Sequence, residues 1–458
     1  MILLLVTVVL PLLIGFLLVR AVVPGLRTDV QVCLGAGMGI GLVSCCLFLS
    51  LLTDTPSLFF ESVLLIAFAL AGRGAVARTS VVKRQQTAVT QPELALGMAF
   101  AIVVAYSIYG FVSNVRIDPH GYWDAWAIFN LRARFLATAY WRDTFSPVFI
   151  WSHPDYPLLL SAFIARVWRA TGSRELSVPA VTAFLFTFAT IGVLAGSLTV
   201  LKGRTQGFLA GMLLAGTPLF IDQGTAQLAD VPLSFFILST LALLALQDRF
   251  WPNAPGLALL AGLSAGMGAW TKNEGLLLVA VILPVRTLAV MRSLGRRPAL
   301  AQAGWFAAGL APILAVVLFF RHSFATPNAH IGGRGVLALM APLSDLNRWR
   351  IFTGELLKHG WSFGDLFVSS FVVLAIYLAC VGFHWERDRA AVHTAVGTLS
   401  LVLAGYCVVC VISPFDVVWQ SATALDRLLV QLWPGTLFLG FLAARTPDAY
   451  WGERLRRR

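Results

Sequence analysis

The chain is short of charge. Of 458 residues only 12% are Asp, Glu, Lys or Arg, against 58% hydrophobic. A soluble domain needs more charge than that to cover its surface. Zinc-like cysteine spacing is missing as well. Cys33, Cys45, Cys46, Cys380, Cys407 and Cys410 lie in or beside apolar runs and read as small buried hydrophobes. No internal repeat and no soluble domain of any size is apparent. The glycine-rich "HIGGRGV" at 330–336 has neither the strand nor the lysine and hydroxyl of a nucleotide loop, which leaves His330 and Arg334 as weak ligand candidates. The first 19 residues lack a basic leader and a small-residue cleavage pattern, so they read as a retained first helix. A net charge of +12 does not make a nucleic-acid binder of such a chain. In a membrane protein Lys and Arg crowd the cytoplasmic loops and meet anionic lipid.

What is there is a succession of apolar runs of bilayer-spanning length. They fall near 1–19, 31–52, 58–76, 94–113, 156–170, 178–199, 206–221, 230–247, 254–270, 276–291, 301–320, 366–383, 394–414 and 428–444. The expectation is an all-α polytopic membrane protein of about 12–14 helices. It divides into N-terminal spans (1–113), a loop with an amphipathic helix (114–155), a transmembrane core (156–320), a second loop (321–365), and C-terminal spans with a basic tail (366–458).

Basic loops orient these spans. Arg73, Arg78, Lys83 and Arg84 occur in a stretch with no acid, which places 73–86 in the cytoplasm. The N-terminus and the 114–155 loop then lie outside. Counting back from a cytoplasmic "WGERLRRR" puts 285–298 inside and 321–365 outside. Passing from outside at 155 to inside at 285 needs an odd number of crossings, yet six apolar segments intervene. One segment must be re-entrant, or two must form one broken helix. "WTKNEG" at 270–275 and the short 206–221 run are the candidate breaks.

Polar residues interrupt the grease in a few places. On a helix over "YWDAWAIFNLRARF", Asp124 aligns with Ile128, Leu131 and Phe135, so a carboxylate sits on the apolar stripe. That is costly unless it faces a cavity or has a partner. Asp124 is either a base or substrate-orienting group, or a cap paired with Arg132 or Arg134. Asp118 before Pro119 reads as a helix entry or as a site residue. In "SHPDYPLLL", His153 is a phosphate or sugar ligand or a solvated loop residue, and Asp155 a pocket residue or a helix cap. "IDQGTAQLADVP" gathers Asp222, Gln223, Gln227 and Asp230, where Asp230 also fits an N-cap. Lys272 and Glu274, two apart, reach one cavity only if the helix is broken there. Arg427 either forks onto a phosphate or snorkels to the interface, where Asp416, Trp419 and Trp433 also fit.

The run "DPHGYWDAWAIFNLRARF…HPDYPLLLSAFIARVWRATG", followed by "AQLADVPLSFF", "TKNEG" and "TALDRLLVQLWP", resembles the GT-C superfamily. More narrowly it is similar to the polyprenyl-phosphate-sugar-dependent glycosyltransferases grouped with protein mannosyltransferases and the lipid A aminoarabinose transferase. The resemblance covers roughly 115–440. It implies a multi-helix membrane core whose first large outer loop carries a catalytic acid, matched by Asp124 with Asp118 in reserve. It also implies an acid opening a later helix, matched by Asp230, and groups near the lipid phosphate, matched by Lys272, Glu274 and Arg427. Trp123, His153, Asp155 and Gln227 complete the expected pocket. Two departures stand out. Three helices precede the loop where relatives usually have one, and no large C-terminal soluble domain follows.

The activity implied is transfer of a sugar from a polyprenyl-phosphate donor to a lipid, glycan or protein acceptor, on the outer face of a bacterial inner membrane. Asp124 would deprotonate the acceptor hydroxyl, with inversion, and Lys272 or Arg427 would take the charge on the leaving phosphate. A divalent metal held by Asp118, Asp124 and Asp230 is the alternative source of that charge. The lack of a dense acidic motif favours a site without a metal or other cofactor. Rival readings are a flippase or transporter of lipid-linked oligosaccharide, a glycan polymerase or ligase of another membrane fold, and a structural membrane subunit.

Overall fold

A computed structural model describes residues 2–76, 89–250, 252, 254–328 and 335–447. Arg78, Lys83 and Arg84, His330 and Arg334, and the basic tail from Trp451 onward lie outside the described residues. The helices are α1 (Ile2–Val22), α2 (Thr28–Thr53), α3 (Ser57–Val76), α4 (Gln91–Ile117), α5 (Leu131–Leu136), α6 (Leu159–Thr171), α7 (Ser177–Lys202), α8 (Arg204–Ala215) and α9 (Pro218–Thr225). There follow α10 (Asp230–Phe250), α11 (Pro255–Thr271), α12 (Glu274–Leu294), α13 (Arg296–Ser323), α14 (Val336–Met340), α15 (Leu346–Ser362), α16 (Ser370–Val381), α17 (Arg389–Ile412) and α18 (Val417–Ala443). Among the described residues there is no sheet, only an isolated bridge between Phe383 and Ala444. The protein is all-α and polytopic. Among the described residues, eight helices (α1, α2, α4, α7, α10, α12, α13 and α17) are each long and apolar enough to cross a bilayer.

Small residues let these helices close up, as they must where lipid supplies no hydrophobic drive between them. A Cβ on Gly15 would stand 1.9 Å from the Gly35 carbonyl oxygen, and one on Gly39 the same distance from that of Pro11. So α1 and α2 touch backbone to backbone. Gly262 and Gly309 do the same for α11 and α13. At the centre, α10 is buried along its apolar length.

Contacts at helix ends sort the molecule into two faces. On one, Glu93 at the start of α4 pairs with Arg204 at the start of α8 (3.5 Å). Asp248 near the end of α10 meets Arg286 of α12, which also reaches Gln302 of α13. The end of α16 meets the end of α18 through His384 N–H and the Ala443 carbonyl. On the other face lie the end of α4, the start of α10, the α11–α12 reversal and the end of α13. The chain changes face through α1, α2, α3, α4, α7, the α8–α9 pair, α10, α11, α12, α13, α16, α17 and α18.

The odd member is α6. Ser161 bonds the Phe129 carbonyl (3.0 Å) near its start, Arg166 engages Glu61 of α3 and the Thr7 carbonyl of α1, and Trp168 bonds the Glu175 carbonyl on the way to α7. The run at 156–170 therefore stays on one face, which corrects its reading as a span. The 206–221 run does break, at Gly216–Thr217 before Pro218, but α8 and α9 together make one change of face. Five changes remain between 155 and 285, the odd number that the charged loops require. "WTKNEG" is a full reversal between two helices rather than a break within one.

Candidate functional site

The loop after α4 is pinned from below. Gly121 takes φ +68, and a Cβ there would stand 2.6 Å from the Ala226 carbonyl oxygen, so glycine alone fits. Tyr122 N–H donates to that same carbonyl (3.2 Å), and its phenol donates to the Asp222 carboxylate at 2.9 Å. Burial, then the bond to Asp222, pushes the Tyr122 phenol up to about 12. Gln227, itself at φ 60, donates to the Pro119 carbonyl (3.2 Å). So fixed, the chain enters a π-helical turn at Ala125–Asn130, held by Ser152 on the Ala127 carbonyl (2.9 Å). Such turns re-aim side chains relative to α geometry.

Asp124 enters that turn and reaches across the molecule. Its carboxylate accepts from Arg427 Nη1 of α18 at 2.7 Å. The Arg427 Nε donates to Asp230 Oδ2 at 2.9 Å. Asp230 opens α10, where the helix dipole favours an anion, and is fully buried. Its other oxygen accepts from Lys272 Nζ (2.9 Å) and from Gln431 Nε2 (2.5 Å). Tyr406 completes that chain by donating to Gln431 Oε1 at 2.6 Å. Lys272 sits in extended backbone (φ −156, ψ 159) at the end of α11, which frees its ammonium to reach Glu274 as well, at 2.9 Å. Thus Asp124, Asp230, Lys272, Glu274 and Arg427 form one continuous network. It runs from a partly exposed edge at Asp124 and Arg427, each side chain 24% exposed, to a dry floor at Asp230.

A second chain braces the reversal. Asn273 donates to Asp155 Oδ2 (2.7 Å) and accepts from Arg321 Nη1 (2.9 Å). Asn328 also donates to Asp155 (2.9 Å). Burial alone would raise the Asp155 carboxyl, but hydrogen bonding and charge from His153, Asn273 and Asn328 outweigh it and hold it below the ordinary value. His153 Nδ1 stands 3.7 Å from Asp155, and its ring stacks on Tyr156 at 4.5 Å.

Several expectations change here. Asp124 pairs with Arg427, not with Arg132 or Arg134. Arg132 is buried on the Tyr156 carbonyl, and burial lowers its guanidinium to about 10. Asp118 is the C-cap of α4 rather than a helix entry, is exposed, and forms no ion pair among the described residues. Asp155 caps no helix; the N-cap of α6 is Leu158, without a side-chain bond. Arg427 lies well inside α18, whose N-cap is Asp416. Trp433 is fully buried against Thr217 instead of joining an interfacial belt, whereas Trp419 is exposed. Cys380 is exposed too. Trp123 stays outside the network, half exposed and edge-on to Trp126 at 5.9 Å. Gln431, Tyr406, Asn273, Arg321 and Tyr156 were not anticipated. Only two carried a signal: Gln431 falls four residues after Arg427 on one helix face, and Asn273 sits inside "TKNEG". Among the described residues no three His, Cys, Asp or Glu side chains gather so as to hold a metal ion.

An all-helical membrane core that draws acids and bases from four separate segments into one network is a GT-C-like arrangement. The family model for dolichyl-phosphate-mannose-protein mannosyltransferase matches residues 101–329, half of the chain, and the chain belongs to that family of polytopic membrane glycosyltransferases. The match covers Asp124, Asp230, Lys272 and Glu274 but not Arg427. No curated protein and no solved structure matches the chain.

Proposed function

We propose that the protein transfers a sugar from a polyprenyl-phosphate donor to an acceptor hydroxyl on the extracytoplasmic face of a bacterial inner membrane. The observation that carries this reading is Arg427 bridging Asp124 and Asp230 beside Lys272. Two cations against three carboxylates leave the network net negative. The donor phosphate therefore has to take a cation from a carboxylate instead of meeting a free one. Asp230, buried and doubly held, keeps the Nε edge of Arg427 and the ammonium of Lys272. Asp124, at the exposed edge, gives up Nη1 to the phosphate and becomes free to accept the acceptor's proton. The hydroxyl oxygen then attacks the anomeric carbon, the C–O bond to the phosphate breaks, and the lipid phosphate leaves with its electrons held by Arg427 and Lys272. Inversion at the sugar follows from a single displacement.

The outward orientation is supported by basic residues in short connections on the opposite face, among them Arg27, Lys202, Arg204, Arg292, Arg296 and Arg297. The test is turnover of a labelled polyprenyl-phosphate sugar by purified protein with an envelope lipid and glycan extract as acceptor. Asp124→Asn is expected to lower it by about 10²–10⁴-fold. Undiminished turnover in that variant removes the base. Flux of intact lipid-linked oligosaccharide across liposomes with no covalent change favours a flippase instead.

A further inference from the structure

Away from the ion-paired network, a cleft of about 690 Å³ opens between the α2–α3 turn and the second half of α6. That is the size of a small-molecule site. One wall carries Ser50, Asp54 and Ser57; the other carries Trp141, Arg166 and Arg169. Arg166 is already neutralised by Glu61. Asp54 and Arg169 are not neutralised. Neither forms an ion pair among the described residues, and the Arg169 guanidinium makes only a long bond, 3.4 Å, to the Leu136 carbonyl. Ser50, 7% exposed, lines the same cleft.

The cleft thus offers one open acid and one open base, on two walls. An anion would leave Asp54 unmatched and repelling it. A cation would do the same to Arg169. A zwitterion answers both. The surroundings say which kind. Beside Ser57, α3 begins an outward stripe of Phe59, Val63, Ile66 and Leu70, each more than half exposed and all on one helix face. That stripe leads from the cleft along the length of a membrane helix, where acyl chains lie.

We infer that this cleft seats the zwitterionic headgroup of a phosphoethanolamine lipid, with its phosphate on Arg169, its ammonium on Asp54 and its chains along α3. The site shares no residue with the network around Asp230 and does not depend on the activity assigned there.

The full-length protein, delipidated in detergent, is offered dioleoyl phosphatidylethanolamine and dioleoyl phosphatidylglycerol, and retained lipid is counted by native mass spectrometry. Wild type is expected to hold the ethanolamine lipid roughly tenfold better, the worth of one charge-assisted contact. Arg169→Ala and Asp54→Asn should each lower its retention by about the same factor. Arg169→Lys should keep most of it, and Asp54→Asn should raise retention of the glycerol lipid. Both side chains lie at the protein surface, and matching thermal melts establish that the variants fold. Equal retention of the two lipids by wild type overturns the inference, as does undiminished ethanolamine-lipid retention in the double variant Asp54→Asn, Arg169→Ala. Binding of methyl α-glucoside that fails in both single variants, with no lipid preference, also overturns it and gives the cleft to a saccharide.

Discussion

Arg427 holds two carboxylates at once, and losing one is not like losing the other. Asp230 is fully buried and carries both cations. Asp230→Asn takes the buried carboxylate from between Lys272 and Arg427 and leaves them only Glu274 and Asp124, which costs about 3–5 kcal/mol. Its thermal midpoint should fall sharply, and activity should vanish with the fold. Asp124 sits at the exposed edge, so Asp124→Asn changes stability by no more than about 1 kcal/mol. A melt and a turnover assay on both variants separate the two roles: the buried acid fails both, the edge acid only the second. Asp155 adds a pH signature. Its carboxyl is held below its ordinary value in the folded protein, so its contribution is complete above the usual carboxylate range and is lost as pH falls through the depressed value. Wild type should therefore lose stability below about pH 4, while Asp155→Asn should start lower at neutral pH and change less on acidification. The residue types of this site were legible in the sequence because charge in grease is conspicuous. Their partners were not. Asp124 meets Arg427 across 303 positions, and Asp230 meets it across 197. Nearness in sequence instead offered Asp124 the cations Arg132 and Arg134, because no pattern within one helix reports a partner on another.

Among the elements, α6 shows why length and polarity have to be weighed together. Residues 156–170 are apolar enough to pass for a span, but Arg166 stands in their midst, its guanidinium on Glu61 and on the Thr7 carbonyl. Both side chains are buried, so replacing one leaves a bare charge. Arg166→Met should cost about 3–5 kcal/mol, and adding Glu61→Leu should return most of it. A double-mutant cycle in thermal melts checks this; equal losses in the single and double variants would mean that the pair does not tie α6 to α3. The long helices were readable from apolar length, because a helix satisfies its own backbone along a bilayer-length run. The short ones were not. The break between α8 and α9 is announced by "GTP" at 216–218, but that the two halves share one crossing depends on where α9 ends, against Tyr122. The start of α18 at Val417 was missed because Gln420, Ser421, Thr423 and Asp426 in its first turns break the apolar run.

For the whole molecule, the two-face arrangement turns local contacts into a statement about the membrane. Glu61 and Thr7 put the starts of α3 and α1 on the face that holds Asp124, and Arg204 puts the start of α4 on the other. Three changes of face before α4 therefore deliver the loop at Asp124 to the same side as the start of α1. A lipid-linked sugar at the outer surface is useful to this site only if that side is outside. Two exposed positions test it. Asn347 at the start of α15 lies on the site face, and Arg297 at the start of α13 lies opposite. With Cys380→Ser to remove the exposed native thiol, Asn347→Cys should react with a membrane-impermeant maleimide in intact cells. Arg297→Cys should react only after permeabilisation. The reverse pattern would put the network in the cytosol, away from the donor pool proposed for it. Labelling of both positions from outside would break the two-face assignment itself, and with it the convergence of α4, α10, α12 and α18 on one acceptor-side surface.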